Sequence, residues 1–224
     1  MGYVSEANLE PNKFYLIASH FQETTGAAVD IQDFISSNDM LGGTDDTDSP
    51  NLKLWIGTGY QDYIYLAQDF MGAENVWSDD GMLAAEDVPV NLGDGAFLKV
   101  KNACTITVAG QVAAADSMNV PLKSGSFNLI ANPFPVAFDL NGDKVDFAGA
   151  LIGGTDDTDS PNLKLWIGTG YQDYIFLATD FMGAENVWSD DGMLAAEGAV
   201  VLPGHGFWVK YTNNPSDVNL KFNK

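Results

Sequence analysis

Residues 42–86 read GGTDDTDSPNLKLWIGTGYQDYIYLAQDFMGAENVWSDDGMLAAE, and residues 153–197 repeat that stretch at 43 of its 45 positions. Only Tyr65, which becomes Phe176, and Gln68, which becomes Thr179, differ. Within the stretch, Leu52-Lys-Leu-Trp-Ile56 alternates apolar and polar positions, Gly57-Thr58-Gly59 turns the chain, and Tyr60 to Leu66 supplies residues that suit a pleated surface. The spacing predicts a β-hairpin. Val76-Trp77 runs into Ser78-Asp79-Asp80-Gly81, a tight-turn signature.

Outward from the repeat the same period continues. Val88 to Leu92 and Ala96 to Val100 flank a Gly93-Asp94-Gly95 turn, Thr105 to Val108 forms a further strand, and Val218 to Phe222 closes the chain. Tyr3-Val4 is strand-like already. Helical periodicity is confined to Asp30–Ser36, with Gly81–Glu86 as a further candidate. A weaker match extends the duplication. Phe14 to Phe21 aligns with Phe127 to Phe134, Asp33-Phe34 with Asp146-Phe147, and Gly95 to Lys99 with Gly206 to Lys210. The chain therefore reads as two tandem homologous all-β domains, residues 1–111 and 112–224, each a β-sandwich or open barrel with short helical turns. The small-residue stretch Ala109–Ser117 is the join, as a linker or a shared strand.

Exposed-looking acids, asparagines and glycines are copied as faithfully as the apolar positions, while the flanks have diverged. A packing requirement alone would spare the apolar positions and let the surface drift. Recent duplication accounts for the copying cheaply; a need to present one surface twice accounts for the contrast with the flanks.

The 224 residues carry 31 acidic and 10 basic side chains, formally −21, and every basic residue is lysine. That balance disfavours nucleic acid and anionic membranes, which need clustered cations, and favours metal cations. No apolar run reaches the roughly 18 residues of a membrane span. The single cysteine, Cys104, excludes an internal disulfide and is expected to be a small buried residue. No signal peptide is visible in this numbering.

Phe127-Asn-Leu-Ile-Ala-Asn-Pro-Phe-Pro135, Leu165 to Tyr171 with Tyr174-Ile175-Phe176, and Leu202-Pro-Gly-His-Gly-Phe-Trp-Val-Lys210 resemble, in that order, the unit motifs of a family of secreted bacterial tandem β-domain proteins. The first copy departs from the pattern, with Ser19-His20 where Asn-Pro is expected and Gly93-Asp-Gly-Ala-Phe97 in the last motif. The resemblance implies export, to the cell surface or beyond, and architecture. It implies no catalytic residue.

The densest oxygen cluster is Gly42 to Asn51, with Asp45, Asp46 and Asp48, repeated as Asp156, Asp157 and Asp159. Ca²⁺ takes six to eight hard oxygens from such loops, so these six aspartates are the candidate ligands; the alternative is a loop whose side chains cap its own turn. Asp139-Leu-Asn-Gly-Asp143 has the opening spacing of an EF-hand loop but Lys144 at its sixth position and Ala150 at its twelfth, and reads as a hairpin turn. Trp55, Tyr60, Tyr63, Tyr65 and Trp77, with Trp166, Tyr171, Tyr174, Phe176 and Trp188, are either core aromatics or a platform for sugars. Tyr63 and Tyr65 share one face of their strand, with Ile64 and Leu66 on the other, which makes the tyrosine face a candidate interface or ligand surface. His20 and His205 occupy non-equivalent places, and Asp79-Asp80 are adjacent, so neither set matches a catalytic arrangement.

These features lead to a non-enzymatic exported structural protein that packs against copies of itself with Ca²⁺ assistance, as a filament or surface layer, with tyrosines at the contact. A two-site carbohydrate-binding module is the alternative, and a polysaccharide-directed enzyme the third reading.

Overall fold

The computed structural model describes residues 2–167 and 170–224, with side chains from residue 7 onward. Gly168 and Thr169, in the second copy of the Gly57-Thr58-Gly59 turn, lie outside the described residues, as do the side chains of Tyr3 and Val4. The chain forms two compact units, Met1–Ala113 and Ala114–Lys224. It is all-β apart from two single helical turns.

In the first unit the strands are β1 (Gly2–Leu9), β2 (Phe14–Ala18), β3 (Val29–Asp30), β4 (Asn51–Trp55), β5 (Tyr60–Gln68), β6 (Glu74–Ser78), β7 (Pro89–Val90), β8 (Gly95–Lys99) and β9 (Cys104–Gln111). The expected hairpin is β4–β5, antiparallel, with Leu52 opposite Tyr63 and Lys53 opposite Asp62. Ile56 N–H donates to Gly59 O across the turn at 3.0 Å, and Gly57 takes φ 86°, a region glycine enters without a Cβ penalty. A five-stranded antiparallel sheet results, in the order β2-β8-β4-β5-β6. The strands flanking the Gly93 turn do not pair with each other: β7 joins β3, and β8 lies between β2 and β4.

β9 pairs with β1 along its whole length. Its buried Cys104, Ile106 and Val108 share one core with Ile17, Leu52, Leu54, Tyr63, Tyr65 and Leu98 from the inner face of the large sheet. Two sheets facing across one core make a β-sandwich, and burying that apolar surface is what holds it together. Cys104 is buried, as its type leads one to expect.

The second unit repeats the plan with β10 (Ser117–Leu122), β11 (Phe127–Ala131), β12 (Phe138–Asp139), β13 (Val145–Asp146), β14 (Asn162–Trp166), β15 (Tyr171–Thr179), β16 (Glu185–Ser189), β17 (Val200–Val201), β18 (Gly206–Lys210) and β19 (Val218–Asn223). Its five-stranded sheet runs β11-β18-β14-β15-β16, and β19 sits between β10 and β13. Phe147 packs edge-on against Trp188 at 5.1 Å, and Phe138 edge-on against Phe222 at 5.9 Å. The Ala109–Ser117 stretch is no shared strand: β9 pairs with β1 and β10 with β19.

The helical turns are α1 (Ile31–Phe34) and α2 (Phe147–Ala150). Asp30 caps α1 by accepting from Gln32 N–H at 2.9 Å. The expected helix at Gly81–Glu86 does not form. Asp80 Oδ1 accepts from Met82 and Leu83 N–H at 2.7 and 2.9 Å, a helical start that ends in a turn. No helix among the described residues is long and apolar enough to cross a membrane.

Candidate functional site

The aspartate loop is anchored before it is charged. Gly43 N–H donates to Tyr65 O at 3.0 Å and Gly43 O accepts from Ala67 N–H at 2.9 Å, which ties the loop to β5. A Cβ at Gly43 would run into the Asp48 carboxylate and the Ser49 backbone, so a side chain has no room there. Asp48 Oδ1 then accepts from Thr44 N–H at 2.7 Å and Asp45 N–H at 3.0 Å, and Asp45 Oδ1 from Thr47 N–H at 2.8 Å. The second loop repeats these bonds through Asp159 and Asp156, at 2.7, 3.0 and 2.8 Å. Backbone donors hold Asp48 and Asp159 below the usual carboxylate range, and the Thr47 and Thr158 side chains lead in doing the same for Asp45 and Asp156. Two of the three candidate ligands in each copy therefore cap their own turn. Asp46 and Asp157 make no hydrogen bond among the described residues.

The loop forms one wall of a surface cleft. In the first unit the cleft is about 650 Å³ and gathers Asp45, Asp46, Asp62, Asp79 and Asp80 with Lys53, Lys99 and Lys101. Its counterpart is about 340 Å³, with Asp156, Asp157, Asp173, Asp190 and Asp191 and no lysine in its lining. Lys53 Nζ reaches Asp62 at 2.7 Å and Lys164 Nζ reaches Asp173 at 2.6 Å. Lys101 Nζ is occupied by Thr47 O at 2.5 Å. In the second unit Thr212 stands 111 residues beyond Lys101, and the latch passes to Asn213, whose amide donates to Asp159 O. Asp62, Asp79, Asp80 and their copies belong to the cleft although the sequence did not single them out as ligands. Their spacing hides it, since they reach the loop only through the β4–β5–β6 register.

Among the described residues no three Asp, Glu, His or Cys side chains converge as a ready-made cage. The carboxylates of each cleft lie open at the surface, and carboxylate oxygens are the hard donors that Ca²⁺ takes in sets of six to eight.

Of the candidate aromatics, the register sends Tyr63 and Tyr65 inward, opposite Leu52 and Trp77. They are 5% and 8% exposed, and Tyr174 is 7% exposed. The tyrosine face is thus the core face, which corrects the expectation that it is available to a partner. Trp77 and Trp188 are fully buried. Trp55 and Tyr60 lie on the opposite, outer face, edge to face at 5.2 Å, and Tyr60 continues to Phe97 at 6.1 Å and Phe97 to Phe14 at 6.4 Å. The second unit builds the row from Trp166, Tyr171, Trp208 and Phe127, with Trp208 Nε1–H donating to Tyr171 Oη at 3.2 Å. A lysine stands over the last ring of each row, Lys99 over Phe14 at 5.3 Å and Lys210 over Phe127 at 5.2 Å. Phe14, Phe97 and their partners were missed because they come from the diverged flanks.

His20 is buried, its Nδ1 3.1 Å from Ala18 O, and His205 sits in the turn before β18. The Asp139–Asp143 stretch is a turn, with Gly142 N–H donating to Asp139 O at 3.0 Å.

Fold and clefts together define a duplicated, strongly acidic β-sandwich protein that offers one carboxylate-lined surface per unit. No known protein family and no curated protein matches the chain.

Proposed function

We propose that the chain is a non-enzymatic structural subunit of an exported, cell-surface or extracellular assembly, whose copies pack with divalent cations between them. The observation that carries this reading is the pair of acidic clefts, which expose carboxylates without enclosing them. A cation bound there has coordination positions left over, and a carboxylate from a neighbouring copy fills them. The same bridge offsets the repulsion between chains of formal charge −21. Because each chain carries the cleft twice, one contact type propagates into an open assembly.

Electron microscopy of the purified chain in millimolar Ca²⁺ and in EGTA tests this. Ordered filaments or sheets are expected with Ca²⁺ and not in EGTA, and Asp46→Asn with Asp157→Asn should remove them. Monodisperse single chains in both buffers overturn the reading.

The outer aromatic rows support a second reading, a glycan-binding module with one platform per unit. Stacking on sugars needs exposed ring faces, and Tyr60 and Tyr171 are 40% and 41% exposed. Glycan-array binding that disappears with Trp55→Ala and Trp166→Ala would favour it over assembly.

A further inference from the structure

Each unit also displays an apolar knob that neither cleft nor aromatic row uses. Phe70, Met71, Met82 and Leu83 are 86, 78, 61 and 42% exposed, and Phe181, Met182, Met193 and Leu194 are 78, 78, 56 and 42% exposed. The first pair of each knob closes the β5–β6 or β15–β16 hairpin, and the second pair follows the outer strand.

Backbone bonds lock the two turns together. Phe70 N–H donates to Met82 O at 2.7 Å. Asp69 Oδ1 accepts from Met71 and Ala73 N–H at 2.9 and 2.8 Å, and its Oδ2 from Ala84 N–H at 3.1 Å. Asp80 fixes Met82 and Leu83. Asp180 and Asp191 repeat the scheme. The backbone beneath each knob is therefore fixed before any ligand arrives, and only the side chains remain to be ordered. Contiguous exposed apolar groups on a folded protein mark an interaction site.

Charge selects the occupant. Residues 68–98 contain no lysine, and neither do residues 179–209. Asp69 and Asp80 accept from the first knob's own backbone and Glu74 lies opposite Gln68 beside it, and Asp180, Asp191 and Glu185 are placed alike at the second. Without a bridging cation, a second copy would bring the same acidic rim, placing like charge against like. Phe and Met supply a soft, polarisable surface that adapts to varied apolar shapes. We infer that each knob docks a cationic amphipathic segment of a different protein, its apolar row on the Phe and Met side chains and its Lys or Arg residues on the acidic rim.

The test uses the intact chain in EGTA, where cation-bridged packing is absent, so this inference and the assembly reading fail separately. Three synthetic peptides are titrated calorimetrically: an amphipathic Leu/Lys helix, a Lys/Ser peptide of the same charge, and a Leu/Glu helix. Two Leu/Lys peptides are expected per chain, bound at least about tenfold tighter than Lys/Ser, a difference of about 1.4 kcal/mol. Leu/Glu is expected not to bind. Phe70→Ser should halve the stoichiometry, and Phe70→Ser with Phe181→Ser should abolish tight binding; both side chains are exposed, so the fold is kept. Equal affinity for Lys/Ser, or no loss in the double variant, overturns the inference. So does a dimer by light scattering, or adsorption to phosphatidylcholine vesicles, that the double variant removes, because a second copy or a lipid surface would then be the occupant.

Discussion

The two units clamp their buried tryptophans alike but with different residues. In the first, Gln32 Nε2–H donates to Trp77 O and Ala85 O at 2.8 and 2.9 Å and its Oε1 accepts from Trp77 N–H at 2.8 Å. In the second, Asn141 Nδ2–H donates to Trp188 O and Ala196 O at 2.9 and 3.0 Å and its Oδ1 accepts from Trp188 N–H at 2.6 Å. Gln32 belongs to α1, whereas Asn141 comes from the turn between β12 and β13, so one task is solved from two places in the chain. Other pairs in the flanks behave the same way. Lys101 and Asn213 latch the aspartate loop, and the buried Asn128 bonds Lys123, Ser126 and Val209 where the first unit has Tyr15. The sandwich therefore tolerates wide substitution while its bonds are kept. Structural demand alone does not account for the identity of the 42–86 and 153–197 blocks, whose copied residues include the exposed acids of the clefts and the exposed Phe and Met of the knobs.

Removing the clamps breaks the comparison most severely. Gln32→Ala and Asn141→Ala each take the partner from three backbone groups. Trp77 O and Trp188 O keep the N–H of Ala85 and Ala196, and the other two groups of each clamp lose their bond at about 1–3 kcal/mol apiece. Each variant should lose about 2 kcal/mol or more in urea unfolding, with faster amide exchange confined to its own unit. Gly43→Ala and Gly154→Ala should follow, at about 1–3 kcal/mol for forcing a methyl into filled space. Their exchange signature should centre on the aspartate loop and β5 or β15. If the glycine variants fold with unchanged stability, the anchoring of the loop is misassigned.

Acid separates the units next. Burial holds the His20 imidazole below its usual range, and the carbonyl of Ala18 only partly opposes this. An unfolded histidine takes up its proton near pH 6.5. Because the folded value is the lower one, His20's contribution is complete above about pH 6.5 and is lost as pH falls below about 6.5 toward the folded value. His205 is lowered too, but that residue is exposed, so water reaches its charged form at less cost. Between about pH 7 and 5.5, amide protection, corrected for the intrinsic pH dependence of exchange, should fall more in β2 and β8 than in β11 and β18, and His20→Asn should erase the excess. The hydrogen-bonded aspartates of both loops have lowered values, so their contribution is lost in both units only under more acidic conditions, as pH falls through their folded values. Equal responses of the two units across the first window would contradict the assignment to His20.

The strands and the duplication were legible because both are local or periodic signals. Leu52 and Leu54 alternate with Asn51 and Lys53 in sequence as they do on the sheet. The side occupied by Tyr63 and Tyr65 was not legible. Alternation shows that they share a face, but both faces of β5 carry apolar residues, and what decides between them is β9, packed over the inner face from more than 35 residues away. The clamps were hidden for the same reason, their partners lying 45 and 47 residues distant. The acidic loop was visible as composition; the remaining cleft aspartates emerged only with the strand register.

The smallest expected effect is the sharpest test of how far the two blocks are interchangeable. Tyr65 and Phe176 occupy one position, each packed tilted on its tryptophan, at 5.0 and 4.9 Å. Tyr65 is 8% exposed and Phe176 1%, so the second unit seals the ring where the first leaves an edge for the hydroxyl. Tyr65→Phe removes that hydroxyl without opening a cavity, and Phe176→Tyr asks a tighter pocket to admit one. The first change should alter stability by less than about 1 kcal/mol, as volume-conserving core exchanges do, and the second should cost more. A reversed order in paired urea melts would mean that the hydroxyl of Tyr65 has a role its copy has lost.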